Sequence, residues 1–316
     1  MSSVMRAPLD RAVLGRTLTR IANAGSRAAL RGLIGRPERS ARRIGLTGAP
    51  GTGKSTLVRG LAAASLARGR RVGVLAVDPT SPYSHGAILG DRIRMGEVAG
   101  HPEFFFRSLA SRSAHDGLAD NLADILCAME SHDFDELLVE TVGVGQAELG
   151  VRALVDCVVL VLMPESGDQV QAMKAGVIEI ADVLVVNKAD LPGAAQIAAA
   201  VQDVLGLRRH DAEQWALPVI LASQHDAASH QAVAQAIEAH FAWRRGRNDE
   251  TLRQRVRVAY HAQSLLNHRI EELLTELPPA TFDLPPREVH RELVARLAAD
   301  IEKWAKVVQR SGARVD

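Results

Sequence analysis

Eight consecutive residues have the types and spacing to hold a chain of phosphates. Gly48, Ala49, Pro50, Gly51, Thr52, Gly53, Lys54 and Ser55 match G-x-x-x-x-G-K-[S/T] without a mismatch. In such a loop the glycines let backbone N–H groups turn inward around a β-phosphate, and the next helix adds the positive potential of its N-terminus. Lys54 would neutralise β- and γ-oxygens, and the Ser55 hydroxyl would bind Mg²⁺, with Thr56 completing the nucleotide-binding set. The competing reading is a chance glycine-rich turn.

A second group, Asn187-Lys-Ala-Asp190, reads N-K-x-D. Asp190 would accept from the N1–H and 2-amino group of guanine, a donor pair adenine does not present. Asn187 would hold neighbouring loops, and the Lys188 stem would lie against the purine face. The plainer alternative is that Asn187 and Asp190 cap the following helix. Together the two motifs select GTP and GDP.

Acids are expected to hold the cation and its waters. Glu140, in Glu140-Thr-Val-Gly143, stands at a strand end and would reach Mg²⁺ through water, while the Gly143 N–H would face the γ-phosphate. Asp78 precedes Pro79, and Asp91 lies in Gly90-Asp-Arg-Ile-Arg-Met95. The catalytic set is therefore Lys54, Asp91, Glu140 and Gly143, and the metal set Ser55, Asp78, Asp91 and Glu140. Simpler roles stay open: a strand-end cap for Glu140, a turn for Asp78, and a helix cap pairing with Arg94 for Asp91. No glutamine directly follows Gly143, and Gln146 is not assigned its water-orienting role.

These residues need a frame that brings distant segments to one edge. Apolar β-type runs occur at Ile44–Thr47, Val72–Val77, Phe104–Phe106, Leu137–Glu140, Val158–Met163, Val183–Asn187 and Val219–Ala222. Helical stretches such as Ser55–Arg68, Leu118–Ser131 and Ala194–Leu205 lie between them. Near-continuous apolar strands alternating with helices imply an α/β fold, a P-loop NTPase with a mostly parallel sheet covered on both faces. Three regions are expected: a helical N-terminal extension over 1–40, the nucleotide domain over 41–243, and a helical dimerisation region over 244–316. In the last, helices over Asn248–Leu277 and Arg287–Arg310 flank a proline-marked linker. Val256, Tyr260 and Leu266 alternate with Arg253, Arg257 and His268, which predicts a homodimer.

Composition narrows the class further. The 316 residues are 47% apolar but only 3% aromatic, so Ala, Val, Leu and Ile must build the core. A net charge of +1 argues against a nucleic-acid partner. Two cysteines, Cys127 and Cys157, make no disulfide framework, and neither has a histidine at ligand-like sequence spacing. No apolar run approaches the ~20 residues of a membrane span, and Met1–Arg20 lack a signal core, so a cytoplasmic protein is expected.

Asp78-Pro-Thr-Ser81, Gly90-Asp-Arg-Ile-Arg-Met95, Glu140-Thr-Val-Gly-Val-Gly-Gln146 and the run from Ile180 to Asp190 resemble the metallochaperone-type P-loop GTPases, whose acidic motif reads E-x-x-G. The chain is most similar to the MeaB/ArgK branch, G-protein chaperones of adenosylcobalamin-dependent acyl-CoA mutases acting on methylmalonyl-CoA, isobutyryl-CoA or related substrates. The resemblance covers about residues 40–225. It implies a GTP hydrolase that gates cofactor loading and protection of such a mutase, with Mg²⁺ as cofactor. It also implies a partner switch around 167–176 that includes Asp168, Gln171 and Lys174, and a base contact from Ser223 and Gln224. Ser84-His85-Gly86, Ser223-Gln224-His225 and the tail from Trp304 depart from the family pattern. A nickel-insertion GTPase of the same class is the alternative, and the scattered positions of the eleven histidines speak against it.

Overall fold

The computed structural model describes residues 6–26, 40–79, 95–111, 118, 121–141, 146–164, 177–206, 214–247 and 249–310. Its strands are β1 (Arg42–Thr47), β2 (Val72–Pro79), β3 (Phe104–Ser111), β4 (Glu136–Thr141), β5 (Cys157–Leu162), β6 (Val183–Val186) and β7 (Val219–Leu221). They form one sheet in the order β3-β2-β4-β1-β5-β6-β7, and every pairing among the described residues is parallel. A parallel sheet needs cover on both faces, which explains why β5 reads Cys-Val-Val-Leu-Val-Leu with all six residues buried.

Side-chain alternation along the strands splits the core in two. On one face α2 (Lys54–Ala67) and α6 (Ala227–Arg245) bury Leu57, Leu61, Val233 and Ile237 over Ile44, Leu46, Val159 and Val185. On the other, α1 (Arg11–Ala22), α3 (Leu122–Glu130) and α4 (Gln146–Leu154) pack over Leu75, Leu137, Val139 and Val158. That face continues under α5 (Ala194–Gly206), which covers Leu160, Leu162, Leu184 and Val186. Beyond the sheet lie α7 (Glu250–Glu276) and α8 (Pro286–Arg310).

The expected strands are all present, with shifted ends. The short run Phe104–Phe106 continues to Ser111, because β3 is the edge strand and tolerates polar residues such as Arg107 and Ser108. The helix expected from Leu118 starts only at Leu122. Helices α4 and α6 have no counterpart among the expected segments. In α6, Ala, Gln and His residues dilute the apolar stripe, although Asp226 caps it through the Ala228 N–H.

Helix α7 carries its charge inward. Arg257 is 8% exposed and Arg269 1%, whereas Leu252 is 64%, Val256 46%, Leu266 45% and Ile270 37% exposed. The inward guanidiniums have a seat at the start of β5. Asp156 accepts from Arg257 through Oδ1 and from the Arg43 N–H through Oδ2 at 2.8 Å. Its carbonyl takes Arg244 at 3.1 Å and Arg253 at 2.9 Å. Tyr260 packs against the core on the α3 face. Further along α7, Arg269 reaches Asp300 on α8 at 2.7 Å and Glu272 at 2.8 Å. Glu272 in turn accepts from both the N–H and the hydroxyl of Ser26, which ties the segment after α1 to the C-terminal helices.

No helix among the described residues is long and apolar enough to cross a membrane. Both cysteines are free thiols, Cys157 buried and Cys127 half-buried. Sequence spacing gave Cys157 no histidine, but the fold brings His240 of α6 and Asp182 beside it.

Candidate nucleotide site

In a parallel sheet the carboxyl ends of the strands share one edge, and ligands bind in the crevices there. β1 ends at Thr47, β4 at Thr141, β6 at Val186 and β7 at Leu221, so these strand ends share that edge. Glu140 stands at the end of β4, and the phosphate motif, the N-K-x-D motif and Ser223 follow β1, β6 and β7.

The loop after β1 is built on backbone that other residues rarely adopt. Gly48 has φ +144°, and a Cβ there would stand 2.1 Å from the Val161 carbonyl. Gly53 has φ +89°, and its Cβ would stand 2.3 Å from Asn187 Nδ2. These two glycines therefore let the loop lie against β5 and against the base motif. Lys54 opens α2 and is 5% exposed, its Nζ donating to Gly48 O at 2.6 Å and Ala49 O at 2.8 Å. Thr52 folds onto the same carbonyl, Oγ1 to Ala49 O at 3.0 Å. Ser55 Oγ donates to Glu140 Oε1 at 2.6 Å, so the expected metal pair is in direct contact.

Asn187, 5% exposed, donates from Nδ2 to Thr52 O at 2.7 Å and joins the base motif to the phosphate loop. Lys188 follows at φ +55°, a left-handed turn at a non-glycine residue. That turn leaves Asp190 exposed at the loop tip. Ser223 Oγ donates to Asp190 Oδ1 at 2.6 Å. This hydrogen bond, helped by the charges of His225 and Lys188, holds the Asp190 carboxyl below its ordinary range, so it stays an ionised acceptor. Gln224 is exposed, its Nε2 3.2 Å from His225 Nε2.

Ser229 is a supporting residue that sequence reading missed. Its hydroxyl accepts from the Ser223 N–H at 3.1 Å and donates to Asp226 O at 2.6 Å, which fixes the turn that carries Ser223. The signal was the three-residue spacing from the helix cap Asp226.

The fold therefore brings together Gly48, Gly53, Lys54, Ser55, Glu140, Asn187, Asp190 and Ser223. Asp78 is the penultimate residue of β2, paired in register with Ala110. Asp91, Gly143, Asp168, Gln171 and Lys174 lie outside the described residues.

Residues 14–278 match the family described as methylmalonyl Co-A mutase-associated GTPase MeaB. The chain belongs to that family. The MeaB match runs from α1 to the end of α7, so the helix that carries the Asp156 contacts is part of the family's common length. Among curated relatives, a Pyrococcus abyssi protein is 49% identical over 151 residues, which are 48% of this chain and 47% of that one. The GTPase ArgK of Escherichia coli is 35% identical over 184 residues, 57% of this chain and 56% of its own. The chain spans about half the length of the curated relatives it matches. The solved structure titled LAO/AO transport system kinase is similar in fold, with TM-score 0.65 at 23% identity over 92% of this chain and 94% of that one.

Proposed function

We propose that this MeaB-family chain is a GTPase that binds GTP and GDP with Mg²⁺ and serves as the G-protein chaperone of an adenosylcobalamin-dependent acyl-CoA mutase. The observation that carries the nucleotide reading is the 2.7 Å bond from Asn187 to Thr52 O. It sets the base-reading loop at a fixed distance from the phosphate loop. Asp190, ionised and steadied by Ser223, offers acceptor lone pairs to the guanine N1–H and 2-amino group, and the Lys188 stem covers the purine. The backbone at Ser223 and Gln224 lies beside it for the base carbonyl.

At the phosphate end, Lys54 exchanges the carbonyls of Gly48 and Ala49 for β- and γ-oxygens. The backbone N–H groups of Gly51 to Ser55 would take the β-phosphate, and Thr56 follows in the first turn of α2. The donor set fits Mg²⁺: Ser55 Oγ and the Glu140 carboxylate already meet, and both are hard oxygen ligands. Ser55 would bind the ion directly, with Glu140, Asp78 and Asp91 ordering its waters. The bound ion supplies neutralisation of the charge that develops between the β- and γ-phosphates. The Gly143 N–H would face the γ-phosphate.

No Ras-type glutamine follows Gly143, which supports slow hydrolysis by the chain alone. A mutase that orders 84–95, 143–148 and 167–176 around the γ-phosphate would accelerate it, and GTP would tighten mutase binding by linkage. Asp168, Gln171 and Lys174 are the residues proposed to face that partner. The reading also places the protein in the cytoplasm.

The deciding experiment is a GTPase assay of the full chain with and without the B12-dependent mutase of the same genome. Acceleration by the mutase is expected, largely lost in Asp168→Ala and Lys174→Ala with basal rates kept. Calorimetry should show GTP and GDP far ahead of ATP, with Asp190→Asn shifting preference to xanthine nucleotides. Tight ATP binding indifferent to Asp190 would sink the guanine reading, and equal rates with and without mutase would sink the chaperone reading.

A further inference from the structure

The opposite end of the sheet from the nucleotide site holds a buried set of three ligand-type side chains. Cys157 opens β5, Asp182 sits one residue before β6, and His240 projects from α6. They are 0%, 5% and 1% exposed, and one ligand atom from each lies within 4.8 Å of the other two. His240 Nε2 stands 3.4 Å from Asp182 Oδ1. Neighbouring donors in a tetrahedral zinc site stand roughly 3.3–3.8 Å apart, given metal–ligand bonds of about 2.0–2.3 Å. The imidazole and carboxylate already have that separation, and Cys157 Sγ lies within 4.8 Å of both.

The surroundings orient these groups as a metal site requires. Asp182 Oδ2 is occupied by Arg152 and by the Val158 N–H at 2.8 Å, which turns Oδ1 toward the cluster. The Asp182 carbonyl accepts from Trp215 Nε1 at 2.6 Å, pinning that segment. The His240 ring is held between Trp215, 5.1 Å away edge-on, and Trp243, stacked at 5.9 Å. Its Nε2 faces Asp182 Oδ1 and donates to it, so an ion at the site takes the place of that proton between the same two ligand atoms.

We propose that Cys157, Asp182 and His240 form a site for a borderline divalent ion of the zinc class. A thiolate, an imidazole and a carboxylate are the donors such an ion selects, and they are too soft a set for Mg²⁺. Three protein ligands leave one position for a water. The ion staples α6 to the starts of β5 and β6, at the opposite end of the sheet from the nucleotide. Burial and the nearby Asp182 charge push the Cys157 thiol well up, so the ion must displace its proton. Affinity therefore rises about tenfold per pH unit for each proton released.

The test uses the full chain, stripped with chelator, kept reduced and titrated with Co²⁺ as a spectroscopic stand-in. One equivalent should raise a near-ultraviolet thiolate-to-cobalt charge-transfer band and strong visible bands of four-coordinate cobalt, and Zn²⁺ should abolish both. Cys127→Ser should keep the band, Cys157→Ser should lose it, and Asp182→Asn and His240→Gln should weaken binding at least tenfold. Should Cys157→Ser lose its helical circular dichroism, wild type, Cys127→Ser and Asp182→Asn still decide. A wild-type chain without the band overturns the site, as does a band that disappears in Cys127→Ser or binding unchanged by Asp182→Asn.

Discussion

Two single residues carry more than their type suggests. Gly53 has a left-handed backbone and leaves no room for a side chain against Asn187. Gly53→Ala would break the tie to Thr52 O as well as strain the loop, so GDP affinity should fall tenfold or more, ~1.4 kcal/mol or above. Isothermal calorimetry measures this directly, and an unchanged affinity would show that the tie does not shape the site. Asp156 is the second. It is 6% exposed and receives Arg257, Arg244 and the Arg43 N–H. Removing one partner of such a buried cluster strands the others, so Asp156→Ala should cost ~3–5 kcal/mol in denaturant unfolding. That Gly48, Gly53, Ser55, Glu140 and Asn187 meet at one edge of the sheet was legible from sequence, because a phosphate loop and its companion motifs have a fixed spacing. Asp156 was not, because its partners Arg43 and Arg257 are far from it in the chain and only the fold brings them together.

At the scale of elements, strands were read well and helices less so. β5 and β6 are buried on both faces, and continuous Val and Leu runs announce that. α6 escaped because His240 and Arg244 are buried at positions where a periodic reading expects apolar residues. α7 was recognised, but its orientation could not be: its guanidiniums find partners at Asp156 and Asp300, which no local pattern shows. The joint between the segment after α1 and α7 shows the same kind of long-range tie. Glu272 accepts from Ser26 Oγ at 2.5 Å and from the Ser26 N–H at 2.9 Å. Burial alone would raise the Glu272 carboxyl, but Ser26, Arg269 and His268 outweigh it and hold it below its ordinary range. A depressed folded value means that the stability is present above the unfolded value of about 4.3 and lost as pH falls through the folded one. Ser26→Ala should therefore destabilise by ~1–2 kcal/mol near neutrality, with the difference shrinking below about pH 4. Thermal melts of both proteins across pH check this, and a pH-independent gap would refute it.

At the scale of the whole molecule, the expected homodimer rests on the outward face of α7. Leu252, Val256, Leu266 and Ile270 recur at helical spacing along one side, all more than a third exposed. Phe282, at 53%, and Ile301, at 49%, add apolar surface on the segments that follow. A homodimer that buries this stripe should appear by light scattering at micromolar concentration. Leu252→Glu with Ile270→Glu should give monomers without loss of fold, because both side chains are exposed, at 64% and 37%. A wild-type monomer would refute the dimer.

The inward guanidiniums of α7 also decide how the protein can be cut. The turn at Gly246 looks like a natural place to end an excised nucleotide-binding unit, since the last strand is past and a helix has just closed. A chain stopped at residue 247 would keep Arg244 but lose Arg253 and Arg257, two of the three guanidiniums that pair with the Asp156 carboxylate. It would also bare the Tyr260 contact on the α3 face. Such a fragment should express poorly and unfold at lower denaturant than one carried through Leu277, although both contain every residue of the nucleotide site. The dissectable unit is set by where a buried anion finds its cations.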